Sequence, residues 1–269
     1  MQTKPLISVI LPNFNGMPYL KLAVDSIISQ TYTNFEFIII DDGSNDNSLE
    51  YLNRLKEKRI KLINNKTNLG IAKTLNKAIE LSRGKYIVRM DSDDIAYPNR
   101  LEIQLQFILS NQEISLCGTW AGKINKKGQR VGVIKYPISH KIIKKVLPYY
   151  NPVIHPSWMV KKEVYEKLHG YKNGYNGAED YEFLLRAKNQ FRIANVPKIL
   201  LKYRTSSQSQ SRVRIKTIDK LDLKLKMKIL KNEGFDFFLV LAIVKKIIVM
   251  KMPQNLRTKL KLITYEFKK

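Results

Sequence analysis

The 269-residue sequence has one cysteine, three histidines and no uninterrupted apolar run of the ~18 residues that a bilayer crossing needs. Each shortage removes a class of protein. Cys117 alone cannot form an internal disulfide, and its position after Ile114-Ser115-Leu116 marks it as a small buried hydrophobe. There is no CxxC pair, HExxH, GxxxxGK[ST] or Ser/His/Asp order. No GxGxxG follows the first apolar run, which argues against a dinucleotide-dependent oxidoreductase. The stretch from Ile7 to Leu11 is too short for a secretory leader and is broken by Pro12 and Asn13, so a cytoplasmic protein is expected. Acids are scarce: 23 Asp/Glu against 48 Lys/Arg leave a net charge of +25. That balance favours anionic partners, whether nucleic acid, lipid head groups or phosphorylated substrates.

What is present is an alternation of strand and helix patterns. A β-branched run from Ile7 to Leu11 ends at Pro12-Asn13-Phe14-Asn15-Gly16, and Tyr19, Ala23, Val24, Ile27 and Ile28 then recur at helical spacing. The run from Phe35 to Ile40 stops in Asp41-Asp42-Gly43-Ser44. A helix is predicted over 45–58 through Leu49, Leu52 and Leu55, and a third strand over 60–63. After the turn Thr67-Asn68-Leu69-Gly70, a helix carries Ile71, Leu75, Ala78, Ile79 and Leu81 and is stopped by Gly84. A fourth strand, 86–90, runs into Asp91, and Pro98 opens a helix bearing Leu101, Leu105 and Ile108. This predicts an α/β fold with a mostly parallel central sheet flanked by helices, and a ligand site beyond the carboxyl ends of its strands. Further on, the pattern predicts a hairpin or meander over 118–136, a helix near 140–147, a strand over 155–160, a glycine-rich loop over 170–177 and a helix over 180–188.

Residues 212–269 are a separate feature, with 16 Lys/Arg against 5 Asp/Glu, a net +11 in about a fifth of the chain. Ile218, Leu221, Leu225 and Ile229 form an apolar stripe flanked by Lys220, Lys224, Lys228 and Lys231. The apolar run 237–244 is interrupted by Lys245-Lys246. Lysines inside an apolar run suit a membrane interface, so helices lying on an anionic cytoplasmic leaflet are expected. A basic helical subdomain packed on the core is the competing arrangement.

Acids at strand ends carry the chemistry. Asp91-Ser92-Asp93-Asp94 offers hard oxygen ligands at alternate positions, as a Mg²⁺ or Mn²⁺ site bridging to phosphates requires, although turns and helix caps use the same residues. Asp41-Asp42-Gly43-Ser44 suits either base or ribose hydrogen bonding or a tight turn. Glu179-Asp180 at a helix start offers a proton acceptor, or simple dipole complementarity. Of the histidines, only His155 is placed near a site.

In order and at matching intervals, these segments resemble glycosyltransferase family 2, the inverting nucleotide-sugar transferases of GT-A fold. The resemblance runs through residues 7–15, Ser29-Gln30-Thr31-Tyr32-Thr33-Asn34-Phe35-Glu36, Asp41-Asp42-Gly43-Ser44, Asn68-Leu69-Gly70, Asn76, Gly84-Lys85-Tyr86-Ile87, Asp91-Ser92-Asp93-Asp94, Pro98-Asn99-Arg100-Leu101 and Gly177-Ala178-Glu179-Asp180-Tyr181, covering about 5–205. It implies a catalytic domain over 1–205, with a nucleotide-binding half to 110 and an acceptor-binding half from 111, and a basic extension over 206–269. It further implies that Pro12, Phe14 and Asn15 flank the base, Asp42 meets the uracil of a UDP-sugar, and Gly70, Lys73 and Ser92 lie along the nucleotide. Asp91 would face the ribose or sugar, Asp93 would bind the Mg²⁺ or Mn²⁺, and Asp180 would be the base with Glu179 in support. His155 and Trp158 would lie on the acceptor side, and the acceptor would be a glycan on undecaprenyl diphosphate. One departure stands out: many members carry Arg-x-His after the last core strand, where this chain has Tyr203-Arg204-Thr205-Ser206. A nucleic-acid binder would share the charge but has no recognition module and leaves the aspartates without purpose, so no nucleic acid is expected. A catalytically inactive glycan-binding relative is the other alternative, against which the intact Asp93 and Asp180 weigh.

Overall fold

The structure, a computed structural model, describes residues 4–205 and 215–252. It divides into two compact units, 1–209 and 210–269.

The first unit is built on β1 (Ile7–Asn13), in which every residue is buried. A strand with no alternation needs cover on both faces, which parallel crossovers supply. β1 pairs in parallel with β2 (Phe35–Asp41) on one side and β4 (Tyr86–Arg89) on the other, and β3 (Ile60–Asn64) extends the sheet beyond β2. The connections are α1 (Leu20–Ile28), α2 (Ser48–Asn53) and α3 (Ile71–Leu81). Because β2 and β3 lie on one side of β1 and β4 on the other, the strand order switches direction at β1, the point where such sheets bind ligands beyond the carboxyl ends of their strands.

The second half of the sheet is mixed. After β5 (Ile95–Ala96) and α4 (Arg100–Ser110) come β6 (Ile114–Ile124) and β7 (Arg130–Ile134), paired antiparallel as the expected hairpin. α5 (His140–Val146), β8 (Met159–Lys161), α6 (Lys162–Lys167), α7 (Glu179–Ala187) and β9 (Arg192–Arg204) complete the unit. The sheet runs β3-β2-β1-β4-β8-β6-β9-β5 with β7 beside β6. β6 and β9 run parallel, and β8 is antiparallel to both β4 and β6.

Three elements differ from expectation. The helix predicted over 45–58 is only α2, because polar groups at both of its ends bond elsewhere. The Asn45 amide donates to Asn15 Oδ1 (2.9 Å), Asp46 accepts from the Met17 amide (3.0 Å), and Glu57 folds onto Arg59 in a turn. Over 155–160 only the last residues are strand; His155–Ser157 is a 3₁₀ turn closed by the Ser157 hydroxyl donating to the Ile154 carbonyl (2.6 Å). Gly84 does not cap α3, which ends at Leu81. Its role is close approach, since a Cβ there would lie 2.5 Å from the Ser8 backbone nitrogen of β1.

The second unit pairs α8 (Ile215–Glu233) with α9 (Phe237–Lys251). Leu225, Ile229, Leu239 and Ile243 are buried, and Asp236 caps α9 by accepting from the Leu239 amide (3.0 Å). Lys246, an interruption in the sequence pattern, reaches α8 to pair with Asp219 (2.8 Å) and Asp222 (3.1 Å), so α9 is continuous. Among the described residues no helix is long and apolar enough to cross a membrane.

Replacing Gly84 with alanine pushes a methyl group into the β1 backbone rather than into a yielding side chain. Gly84→Ala is expected to cost about 1–3 kcal/mol and to lower the melting temperature by several degrees. An unchanged melt would show that β1 can shift to accept it.

Candidate active site

The register of the parallel strands brings the acidic clusters to one edge. Asn13, Asp41 and Asn64 are neighbours at the ends of β1, β2 and β3, and β4 delivers Asp91 to the same edge. Loops there are tied to one another. Asp41 accepts from Asn13 Nδ2 (2.8 Å) and from the Ser44 amide (2.9 Å), and the Ser44 hydroxyl accepts from the Asn15 amide (2.9 Å). Gly16 packs against Asn13 and Ser92, which joins the first loop to the fourth. Pro12 is buried, Phe14 half-buried, and Asn15 exposed in the left-handed region at φ 52°.

Asp42 is buried and heavily engaged. Its Oδ1 accepts from Asn65 Nδ2 (2.8 Å) and the Leu69 amide (2.9 Å), and its Oδ2 from the Gly70 amide (3.0 Å). It therefore shapes the loop leading into α3, while Oδ2 retains one acceptor position. Gly70 adopts φ 85°, and a Cβ there would meet Asn176 Nδ2 at 2.6 Å. Asn176 also accepts from the Ala72 amide (3.3 Å), so the loop before α7 closes over the start of α3. Lys73 is exposed in the first turn of α3.

Asp91, Asp93 and Asp94 converge, each offering an oxygen within 4.8 Å of the others. Burial, then the charge of Asp91, raises Asp93 to about 6. Burial, then Asp93 and Asp91, raises Asp94 well above the carboxylate range. Asp94 Oδ1 accepts from the Arg204 amide (2.7 Å), while its buried Oδ2 has no partner. Crowded carboxylates with an unpartnered buried oxygen fit a hard divalent cation that takes a few protein oxygens and completes its shell from phosphates. The Arg204 guanidinium donates to the Asp93 carbonyl (2.7 Å) and the Asn125 carbonyl (3.0 Å) and lies 4.1 Å over the Tyr19 ring, closing this side of the cluster. Thr205 bonds to β6; Ser206, where the family's histidine would fall, lies outside the described residues.

The third acidic pair begins α7. Glu179 is buried and accepts from the Gly177 amide (2.5 Å), while Asp180 is partly exposed. Burial, then the neighbouring Asp180 charge, raises Glu179 to about 7; burial also raises Asp180. Asp180 accepts from Asn151 Nδ2 (2.7 Å) and from the Tyr181 amide (2.7 Å). The Tyr203 phenol is raised by burial and then by Asp94, Asp91, Asp93 and Asp180, so both acidic groups lie near enough to act on one side chain.

His155 and Trp158, expected on the acceptor side, are both buried. Burial, then the Arg89 charge, holds His155 well below its ordinary value and so neutral; its Nε2 bonds the Tyr171 hydroxyl (2.8 Å) and its Nδ1 stands 3.8 Å from Glu179. Trp158 is fully buried, with its ring against those of His155 and Phe183. Arg89 was missed: it is buried, ion-pairs with Asp91, and acts electrostatically on Glu179, Asp180 and His155. The signal was present, since an arginine in the last position of a buried strand is costly unless paired. Asp94, Asn151, Asn176 and Arg204 were also outside the predicted set, and only contacts between distant segments reveal them.

Residues 8–169 match the sequence profile of Glycosyl transferase family 2. The chain is 37% identical over 213 residues to the O-antigen biosynthesis glycosyltransferase WbnJ of Escherichia coli, covering 76% of this chain and 81% of that protein. It is 35% identical over 224 residues to an uncharacterized glycosyltransferase of Haemophilus influenzae, covering 79% and 69% respectively. Among solved structures it resembles S. aureus TarS 1–349 in complex with UDP-GlcNAc (TM-score 0.71, 17% identity, 93% of this chain and 76% of that one). It also resembles the Pyrobaculum calidifontis mannosyltransferase PcManGT in complex with GDP-Man and Mn²⁺ (TM-score 0.65, 17% identity, 93% and 70%). A GT-A sheet with aspartate clusters at its carboxyl edge, the family profile and these relatives agree: this chain belongs to glycosyltransferase family 2.

Proposed function

We propose that the enzyme moves a sugar from a UDP-sugar to a hydroxyl of a glycan acceptor with inversion, and that the acceptor is a lipid-diphosphate-linked saccharide of O-antigen, capsule or a related surface polysaccharide. The observation that carries this is the convergence of Asp91, Asp93 and Asp94 beyond the end of β4, with Asp180 at the start of α7 near enough to act on the same Tyr203 side chain. The likeness to WbnJ supports the polysaccharide class, and the UDP-GlcNAc complex of TarS supports the donor.

In this reading Pro12, Phe14, Asn15 and Asp42 bound the base, and Gly70, Lys73 and Ser92 follow the diphosphate. Asp93, with Asp91 and Asp94 beside it, would hold Mg²⁺ or Mn²⁺, which would supply positive charge to the leaving group. Asp180 is the better base of its pair because it is partly exposed and oriented by Asn151, whereas Glu179 is buried on the Gly177 amide. Asp180 takes the proton of the acceptor hydroxyl as its oxygen attacks the anomeric carbon. The bond to the diphosphate breaks on the opposite face, and its electron pair leaves with UDP. Arg89 steadies Asp91 and tempers the negative field at α7. The catalytic part is assigned to 1–205 and the extension to 206–269. Phe235, Phe237 and Phe238, exposed in a lysine-rich unit, suit contact with an anionic membrane surface, and hence a peripheral place on the inner face of the cytoplasmic membrane.

UDP release from a panel of UDP-sugars, with an N-acetylglucosamine-terminated lipid diphosphate as acceptor, should require Mg²⁺ or Mn²⁺ and fail in Asp93→Asn. Asp180→Asn should lower kcat by about 10²-fold or more with little change in donor KM; near-normal turnover would remove Asp180 as the base. Deleting 212–269 should abolish transfer to the lipid acceptor and spare transfer to a soluble analogue. A pH effect follows from Glu179. An acid held above its ordinary value binds its proton more tightly folded than unfolded, so its support for the fold is complete below the ordinary glutamate range and lost as pH rises through about 7. Without metal, Glu179→Gln should therefore melt near wild type at about pH 5 and above it near pH 8, by at most roughly 3 kcal/mol. A constant difference across that range would mean that Glu179 ionises normally.

A further inference from the structure

The segment joining α5 to the His155 turn lies against α7 at the base. The Tyr181 hydroxyl, one residue after Asp180, donates to the carbonyls of Leu147 (2.8 Å) and Pro148 (3.0 Å). Asn151 donates to Asp180 Oδ2 (2.7 Å) and uses its own oxygen to accept from the Val153 amide (3.0 Å). Tyr150 therefore stands one residue from the side chain that orients the base, yet it is 42% exposed. Its ring centroid is 6.1 Å from that of Tyr136, with the planes inclined at 37°. Tyr136 is held from behind, because its carbonyl accepts from the Trp120 indole (3.0 Å). Burial, then Tyr150, then Asp180 raise its phenol, which puts it within the field of the same carboxylate.

Two neighbouring aromatic rings, one of them exposed, therefore offer apolar surface next to the residue whose amide holds the Asp180 carboxylate. A pyranose has the matching form: axial C–H bonds give it an apolar face, and hydroxyls give it a polar rim. An acyl chain would leave the Asn151–Asp180 edge unused, and a phosphate would be repelled by Asp180. We propose that Tyr150 and Tyr136 are the acceptor subsite, on which a pyranose ring of the acceptor lies with its attacking hydroxyl turned to Asp180. The assignment rests on Asp180 being the base and narrows the acceptor to one whose reacting unit is itself a sugar ring, not a serine, a lipid hydroxyl or a phosphate.

Two measurements on the full chain test it. Saturation-transfer NMR with methyl glycosides of N-acetylglucosamine, glucose and galactose, in the presence of UDP and Mn²⁺, reads contact without turnover. At least one sugar should receive saturation on the C–H protons of one ring face, lost in Tyr150→Ala and kept in Tyr150→Phe. In turnover with the N-acetylglucosamine-terminated lipid diphosphate, Tyr150→Ala should raise acceptor KM about tenfold, with a much smaller change in donor KM and recovery in Tyr150→Phe. No saturation by the wild type, equal saturation in Tyr150→Ala, or an unchanged acceptor KM would overturn the subsite. Loss of metal-dependent UDP release in the wild type would instead strike the transferase reading, and the NMR result would still decide the platform.

Discussion

Like charges crowded at one edge of a parallel sheet, with the buried guanidinium groups of Arg89 and Arg204 beside them, are the constraint around which the site is arranged. Asp91, Asp93 and Asp94 share a space less than 5 Å across, and Glu179 and Asp180 begin the helix that faces them. Burial pushes Asp93 and Glu179 into the range where they are only partly ionised near neutrality. Arg89 ion-pairs with the first cluster and lowers the cost of charge on the second. The Asp91–Asp93–Asp94 cluster makes a negative field of the kind that suits a divalent cation, while the excess positive charge elsewhere on the chain favours anionic ligands.

Holding those charges in place takes rigid backbone. Parallel pairing sets Asn13 beside Asp41 in register, so the loops after β1 and β2 leave the sheet together and bond through Asn15, Ser44 and Asn45. Asp42 spends most of its acceptor capacity on the Leu69 and Gly70 amides, and Gly70 lets Asn176 come close enough to touch the start of α3. A residue suited to the nucleotide thus also shapes the loop that would receive it. His155, buried and held well below its ordinary value, bonds the Tyr171 hydroxyl through Nε2 and packs beside Glu179.

Much of this was legible in the residue pattern. The strands at 7, 35, 60 and 86 and their helices follow from periods of two and 3.6, and the aspartates declared themselves by ending apolar runs. The second half was less legible because its pairings are non-local. β9 is interrupted by Pro197, and the sheet accommodates it by a register shift against β6 near Trp120, which no local pattern announces. The burial of Trp158 and His155 was not legible either, because apolar aromatic segments line both cores and clefts. Lys246 read as a break until Asp219 and Asp222, more than twenty residues away, became its partners.

By itself the sequence determined the family, the α/β alternation, the places where acids stand at strand ends, and the separation of a basic tail from the rest. Those are local properties: each depends on residues a few positions apart, and chain order alone preserves them. Tertiary structure decided that the Arg204 amide holds Asp94, that Arg89 acts on both acidic groups, that Asn151 orients Asp180, and that Tyr136 and Tyr150 meet. Each of these is a contact between segments brought together only when the sheet closes, with side-chain direction set by packing that composition and spacing do not encode.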